Sequence, residues 1–164
     1  MADGDVRSAI VDYMTAANIA GIEKWYRDEP WIIQGDTWNL DAGYGALAYV
    51  HIDDVQDTRL TLPAEDGNKR VEYSVSLLVI YRYVIPTDTQ SGDEDAWVDP
   101  LDQIVADVKA AIRTDPNAGA PSVIWQWGQS PNGIRHQRDL PVKIRGQLQS
   151  WNRIVVDVTE IITA

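Results

Sequence analysis

Between Arg70 and Ile85 the chain reads RVEYSVSLLVIYRYVI, and alternation is its dominant signal. Val71, Tyr73, Val75, Leu77, Val79, Tyr81, Tyr83 and Ile85 are apolar or aromatic, and Arg70, Glu72, Ser74, Ser76 and Arg82 between them are polar. Successive side chains of a strand point to opposite faces, so a period of two predicts a strand. Leu78 and Ile80 turn the second face apolar in the middle. This predicts a central strand covered on both faces at its middle and projecting at its ends. Such a strand spans about 50 Å, well beyond the usual length. A strand that outruns the core of a small domain serves assembly more often than catalysis.

The remaining periodicities supply its neighbours. Val6, Ile10, Val11, Tyr13, Met14 and Ala17 recur near helical spacing, with Asp3 or Asp5 as cap and Gly21 as the stop. Gly21–Tyr26 reads as a short extended segment. From Ile22 to residue 45 the chain is dense in bulk, with Trp25, Trp31 and Trp38, and beyond Tyr26 it reads as irregular. Ala46–Val55 reads as a strand that Thr58–Leu62 extend, and Pro63–Asn68 as a turn holding Asp-Gly. Residues of about 46–85 therefore form a long hairpin. After the acidic loop Pro86–Asp95, Asp99-Pro100 opens a helix over about 100–114. Leu101, Ile104, Val105, Val108, Ala111 and Ile112 form its apolar stripe. Ser122–Trp127 is a strand, about 128–146 a long irregular connection, and Gln147–Ile162 the last strand. The prediction is an α+β fold, a largely antiparallel sheet with long hairpin strands and two helices packed on one face. Residues 1–164 make a single domain, with the hairpin and the 128–146 loop as projecting parts.

Composition sharpens the functional side. With 164 residues, 45% of them apolar, the chain can bury a core. It has no Phe, and seven Trp and seven Tyr supply all aromatic bulk. Their polar tips suit half-buried rims and interfaces, although such residues also serve as plain core filler. The formal charge of −11 excludes a generic nucleic-acid binder, which needs Lys and Arg against phosphate. Such a charge fits a surface that DNA slides past, or simply a soluble acidic protein. Without Cys there is no disulfide, thiolate nucleophile or Cys-based metal site. The polar start MADGDVRS is unlike a signal peptide, and the longest apolar run, Leu77–Tyr81, is too short to span a membrane.

Catalytic constellations are not recognisable. His51 falls mid-strand as a structural residue, and His136 lies in a loop between Arg135 and Arg138, a charged setting that disfavours metal. There is no nucleophile elbow and no phosphate-binding loop. Asp53 and Asp54 are adjacent and so expected on opposite faces of a strand, a poor acid–base pair. Asp93-Glu94-Asp95 lacks calcium-loop spacing and reads as a solvated acidic loop. A glycosidase built on two carboxylates with tryptophans stacking on sugar finds no support in the spacing. The expectation is a protein that is not an enzyme and has no cofactor. One segment departs from the acidic background. Residues 133–146 hold Arg135, Arg138, Lys143 and Arg145 against the single acid Asp139. Such a stretch suits an acidic patch on an identical neighbour, or is an ordinary solvated loop.

The N-terminal helix, the long hairpin ending in VEYSVSLLVIYRYV, the acidic loop, the helix DPLDQIVADVKAAI, the short strand and the closing WNRIVVDVTEI follow one another in a familiar order. From about residue 5 to 162 this order resembles the tail terminator, or tail completion, proteins of long-tailed phages. The resemblance rests on element order and texture and brings no catalytic residues. It implies a homo-oligomeric ring, by family habit a hexamer, on the head-proximal end of the tail tube. The ring would stop tube polymerisation and dock the head–tail connector or head-closure protein. DNA would pass through without specific binding, no membrane would be involved, and the protein would sit in the virion neck after assembly in the host cytoplasm. On this reading Arg82, Trp31, Trp38, Arg135, Arg138, Lys143 and Arg145 are candidates for subunit or partner interfaces. Asp66, Asp93, Glu94 and Asp95 are candidates for a DNA-repelling surface. The alternatives are a neck or head-closure protein, a tail tube subunit, or a small ligand-binding module using the Trp-rich segment.

Overall fold

A computed structural model describes residues 3–30, 44–59, 69–83, 98–115, 124–127, 133–144 and 147–162. Helix α1 (Asp3–Ala17) and helix α2 (Val98–Thr114) accompany strands β1 (Ile22–Tyr26), β2 (Tyr44–Arg59), β3 (Lys69–Tyr83), β4 (Ile124–Trp127), β5 (Arg135–Arg138), β6 (Val142–Ile144) and β7 (Gln147–Ile162). The content is α+β and the sheet mostly antiparallel, in the order β1-β2-β3-β7-β4, with β5 and β6 also on β7. Only β1 pairs in parallel, against Ala46–Tyr49 of β2.

β3 is the spine. On one side it pairs with β2 from Tyr44↔Tyr83 to Arg59↔Lys69. On the other it pairs with β7 from Lys69↔Ile162 to Tyr83↔Leu148 without a shift. Its alternation then sorts the core. Val71, Tyr73, Val75, Leu77, Val79 and Tyr81 are buried in one cluster with Ala46, Ala48 and Val50 of β2 and Ile154, Val156 and Val158 of β7. Val6, Ile10, Val11 and Met14 of α1 belong to that cluster, as do Leu101, Ile104, Val105, Val108 and Ile112 of α2. A smaller cluster on the opposite face joins Leu47, Tyr49, Leu78 and Ile80, with Tyr26 and Trp151 against it.

The apolar face of β3 is thus covered from Val71 to Tyr81 and does not project there. On the other face Ser76, Leu78, Ile80 and Arg82 are buried, Glu72 and Ser74 half-buried and Arg70 exposed. Between residues 70 and 82, then, Arg70, Glu72 and Ser74 are the positions open to solvent, and the hairpin tip over 60–68 and residues 84–85, where projection was also expected, lie outside the described residues. β7 pairs with β3 along the whole of its second edge. The connection over 128–146, read as irregular, also gives up two strands, β5 and β6, to the outer edge of β7.

Local signals explain the boundaries. Asn18, with φ 48°, takes the left-handed position after α1, and its N–H donates to the Thr15 carbonyl at 3.2 Å. Asn tolerates that conformation because its short side chain bonds locally. The helix therefore stops before Gly21. Gly21, with φ 88°, instead starts the sheet, its carbonyl accepting from the Ala46 N–H at 2.8 Å. A Cβ there would lie 2.8 Å from Ile104 Cδ1, so the close approach of α2 also requires glycine. The Tyr13 hydroxyl donates to the Ala111 carbonyl at 2.8 Å and ties α1 to α2.

Leu77 is fully buried at the centre of the spine. Leu77→Ala is expected to destabilise the fold by about 2–5 kcal/mol. Urea denaturation checks this as a lowered midpoint with an unchanged slope.

Candidate functional site

The surface features that stand out lie along the two edges of the sheet. On the first edge β1 covers β2 only as far as Tyr49, so Val50–Arg59 has no outer neighbour among the described residues. This free stretch carries the exposed Asp53, Asp54 and Asp57, and Val55 is 39% exposed. A bulge between Ile52 and Asp54 changes which side chains face which way. Asp54 comes opposite Ser74, on the face where Asp53 accepts from the Ser76 hydroxyl. The two carboxylates therefore share a face, where unbroken alternation would have separated them. Asp28 extends the acidic zone, 3.0 Å from Arg7 and 3.7 Å from His51 Nδ1. Nearby, burial first and the Glu29 carboxylate second push the Tyr49 hydroxyl up to about 12, so it stays a proton donor at any physiological pH.

On the second edge β4, β5 and β6 lie one after another along β7, opposite Val158–Ile161, Asn152–Val155 and Gln147–Gln149. Together they act as one interrupted strand. Between and within its pieces Leu140 is 84% exposed and Val142 44%. With Val55 they complete the exposed large hydrophobic residues found among the described residues. All of them lie on one edge or the other. Their positions were not singled out by pattern, although the LPV run set among bases was a readable sign.

The basic residues of this edge are partly committed inside the chain. Arg138 holds Asp102 of α2, and its Nε donates to Asn152 Oδ1 at 3.2 Å. Arg135 sits 3.7 Å from Asp157 with its side chain half exposed. Lys143 lies on β6. Arg82, also expected at an interface, is only 7% exposed, and burial lowers its pKa while Glu23 opposes that shift. It belongs to the interior because it continues the covered face of Leu78 and Ile80 beside the buried Gln149. It is therefore removed from the interface set. Trp31, Trp38, Arg145, Asp66, Asp93, Glu94 and Asp95 lie outside the described residues.

Little here supports chemistry at an active centre. Among the described residues no group of three or more His, Cys, Asp or Glu side chains is placed to hold a metal. A groove of about 510 Å³ between the ends of α1 and α2 is half lined by alanines, with Tyr13 and Asp107 its titratable groups. Among the described residues no helix is long and apolar enough to cross a membrane. No family model matches the chain, and no curated protein matches it.

His136 sits on β5, not in a loop, with Nε2 3.3 Å from Asn152 Oδ1. Burial chiefly, with Lys109 and Arg138 adding to it, holds its pKa below the ordinary 6.5, against the Asn152 bond and Asp102. The unfolded chain then takes the proton more readily than the folded one. Stability from this site is complete above about pH 6.5 and is lost as pH falls through that value toward the lowered one. His136→Gln is expected to flatten the fall in unfolding free energy between pH 7 and pH 5, measured by urea denaturation at each pH.

Proposed function

We propose that this chain is a structural virion protein, a tail terminator that caps the head-proximal end of a phage tail tube as a ring. In that role it ends tube polymerisation and offers a docking surface to the head connector. The single observation that supports it best is a sheet of unusually long strands whose two edges, open among the described residues, carry opposite net charge. Open edges bearing apolar side chains are a hazard to a protein that acts alone and a means of assembly for one that does not. The acidic balance of the whole chain fits a lumen that DNA must cross without sticking. The two helices are taken to cover one face of the sheet, leaving the other to the lumen or to the neighbouring rings.

On this reading the mature protein is a homo-oligomer in the neck of the particle, assembled in the host cytoplasm from soluble subunits. The expected result of imaging intact particles with this chain labelled is one ring's worth of copies at the head-proximal end of each tail. Particles made without it should show unjoined heads and tubes of uncontrolled length. Label repeated along the whole tube would mean a tube subunit instead. A strict monomer by sedimentation, with no ring in purified particles, would reject the assembly role altogether.

A further inference from the structure

We propose that neighbouring copies of this chain join by adding strand to strand, the free half of β2 in one copy against the β5–β6 edge of the next. The inference rests on the assembly reading above and names its interface. Both edges are open among the described residues, and both are ten residues long, Val50–Arg59 and Arg135–Ile144. At about 3.3 Å per residue Val50–Arg59 offers about 33 Å of backbone donors and acceptors, and β5 and β6 offer about 13 Å and about 10 Å on either side of the break at 139–141. Val55 on one edge and Leu140 and Val142 on the other supply apolar surface for a partner to cover.

Charge selects the pairing. Val50–Arg59 carries Asp53, Asp54 and Asp57 against Arg59, whereas Arg135–Ile144 carries Arg135, Arg138 and Lys143 against Asp139, with Arg138 and Arg135 already drawn toward Asp102 and Asp157 of their own chain. Two β2 edges repel each other, and so do two β5–β6 edges, so a two-fold dimer is disfavoured on either. Unlike edges attract. Pro141 adds a break that discourages non-cognate pairing on that side. A contact between two different patches is heterologous, and where its rotation closes it generates a ring instead of an open filament.

Direction agrees. β2 is antiparallel to β3, β3 to β7, and β7 to β5 and β6. The free half of β2 therefore meets the next copy's β5–β6 edge in antiparallel fashion when the sheet runs on unbroken. The two edges stand at different levels of the sheet, so the pairing fixes a stagger. Arg135 stands opposite Val155, Val155 opposite Ser76, and Ser76 opposite His51. Laying Arg135–Ile144 along Val50–Arg59 therefore displaces the next copy by about eight residues, about 26 Å, along the strands. Stagger of this kind tilts strands against the axis, as closing a sheet on itself demands.

The absence of native cysteine makes the test direct. Val55→Cys and Leu140→Cys chains are prepared singly and as a double variant, then treated with a short bismaleimide. The double variant is expected to give a ladder of linked species ending at the ring's copy number. A mixture of the two single variants should give mixed dimers, and each single variant alone should give at least tenfold less. As a second arm, Asp54→Lys with Asp57→Lys should weaken association at least tenfold, and adding Arg135→Glu with Lys143→Glu in the same chain should restore it. Dimers of Val55→Cys with itself or of Leu140→Cys with itself as the main product would overturn the pairing. A ring seen by sedimentation with no ladder and no response to the charge changes would also overturn it, while leaving the assembly role standing. Linkage that needs another virion protein would assign the edges to that protein instead of to a second copy. A monomer at every concentration would remove both proposals.

Discussion

Everything described here depends on β3 having a partner on each side from one end to the other. A strand satisfied on both edges can afford no slip, because moving by one residue would exchange Leu77 and Val79 for Ser76 and Leu78 in the large cluster. The apolar stripes of α1 and α2 share that cluster with Val71, Tyr73, Val75, Leu77, Val79 and Tyr81 of β3. The register of β3 with β2 and β7 therefore decides where the helices can rest. It also decides which parts of β2 and β7 lie outermost. β2 is longer than β1 can cover, and β7 takes the three short strands β4, β5 and β6 along its far side. The open edges are a consequence of the spine and not separate additions.

Much of this frame was legible in the chain. The alternation of β3 and β7 and the stripe of α2 are long patterns carried by many side chains, and such patterns survive tertiary packing. The α+β character and the hairpin of β2 with β3 followed from them. What escaped were features set by single residues or by distant backbone. RHQR has no alternation of its own and VKI is too short to carry one, and both become strands because β7 offers them a ladder. The bulge beside Asp53 follows no sequence period and reverses the expected separation of two carboxylates. Asn18 ends α1 in place of the nearer-looking glycine. Arg82 has the side chain of a surface residue, yet the strand on which it sits is buried around it.

The candidate surface was legible only in part. A basic stretch on an acidic chain pointed to the second edge, and Arg135 and Lys143 do lie along it. Its acidic counterpart was hidden, because the carboxylates of β2 were weighed for catalysis and not for their place at an edge. Arg138 shows the limit of reading charge alone. Its guanidinium is shared with Asp102 of α2, which fastens the edge strand to the helix layer. An exposed pair of this kind contributes little stability. It still fixes where the edge sits relative to the helices, which a docking surface needs.

The position of β7 has a consequence for biogenesis. Until residues 147–162 have left the ribosome, β3 has one neighbour, and the segments 124–127, 135–138 and 142–144 have nothing to pair with. The pairing of β3 with β7 joins segments far apart in the chain and forms late. The outer flank of β7 therefore comes into being only together with the finished sheet.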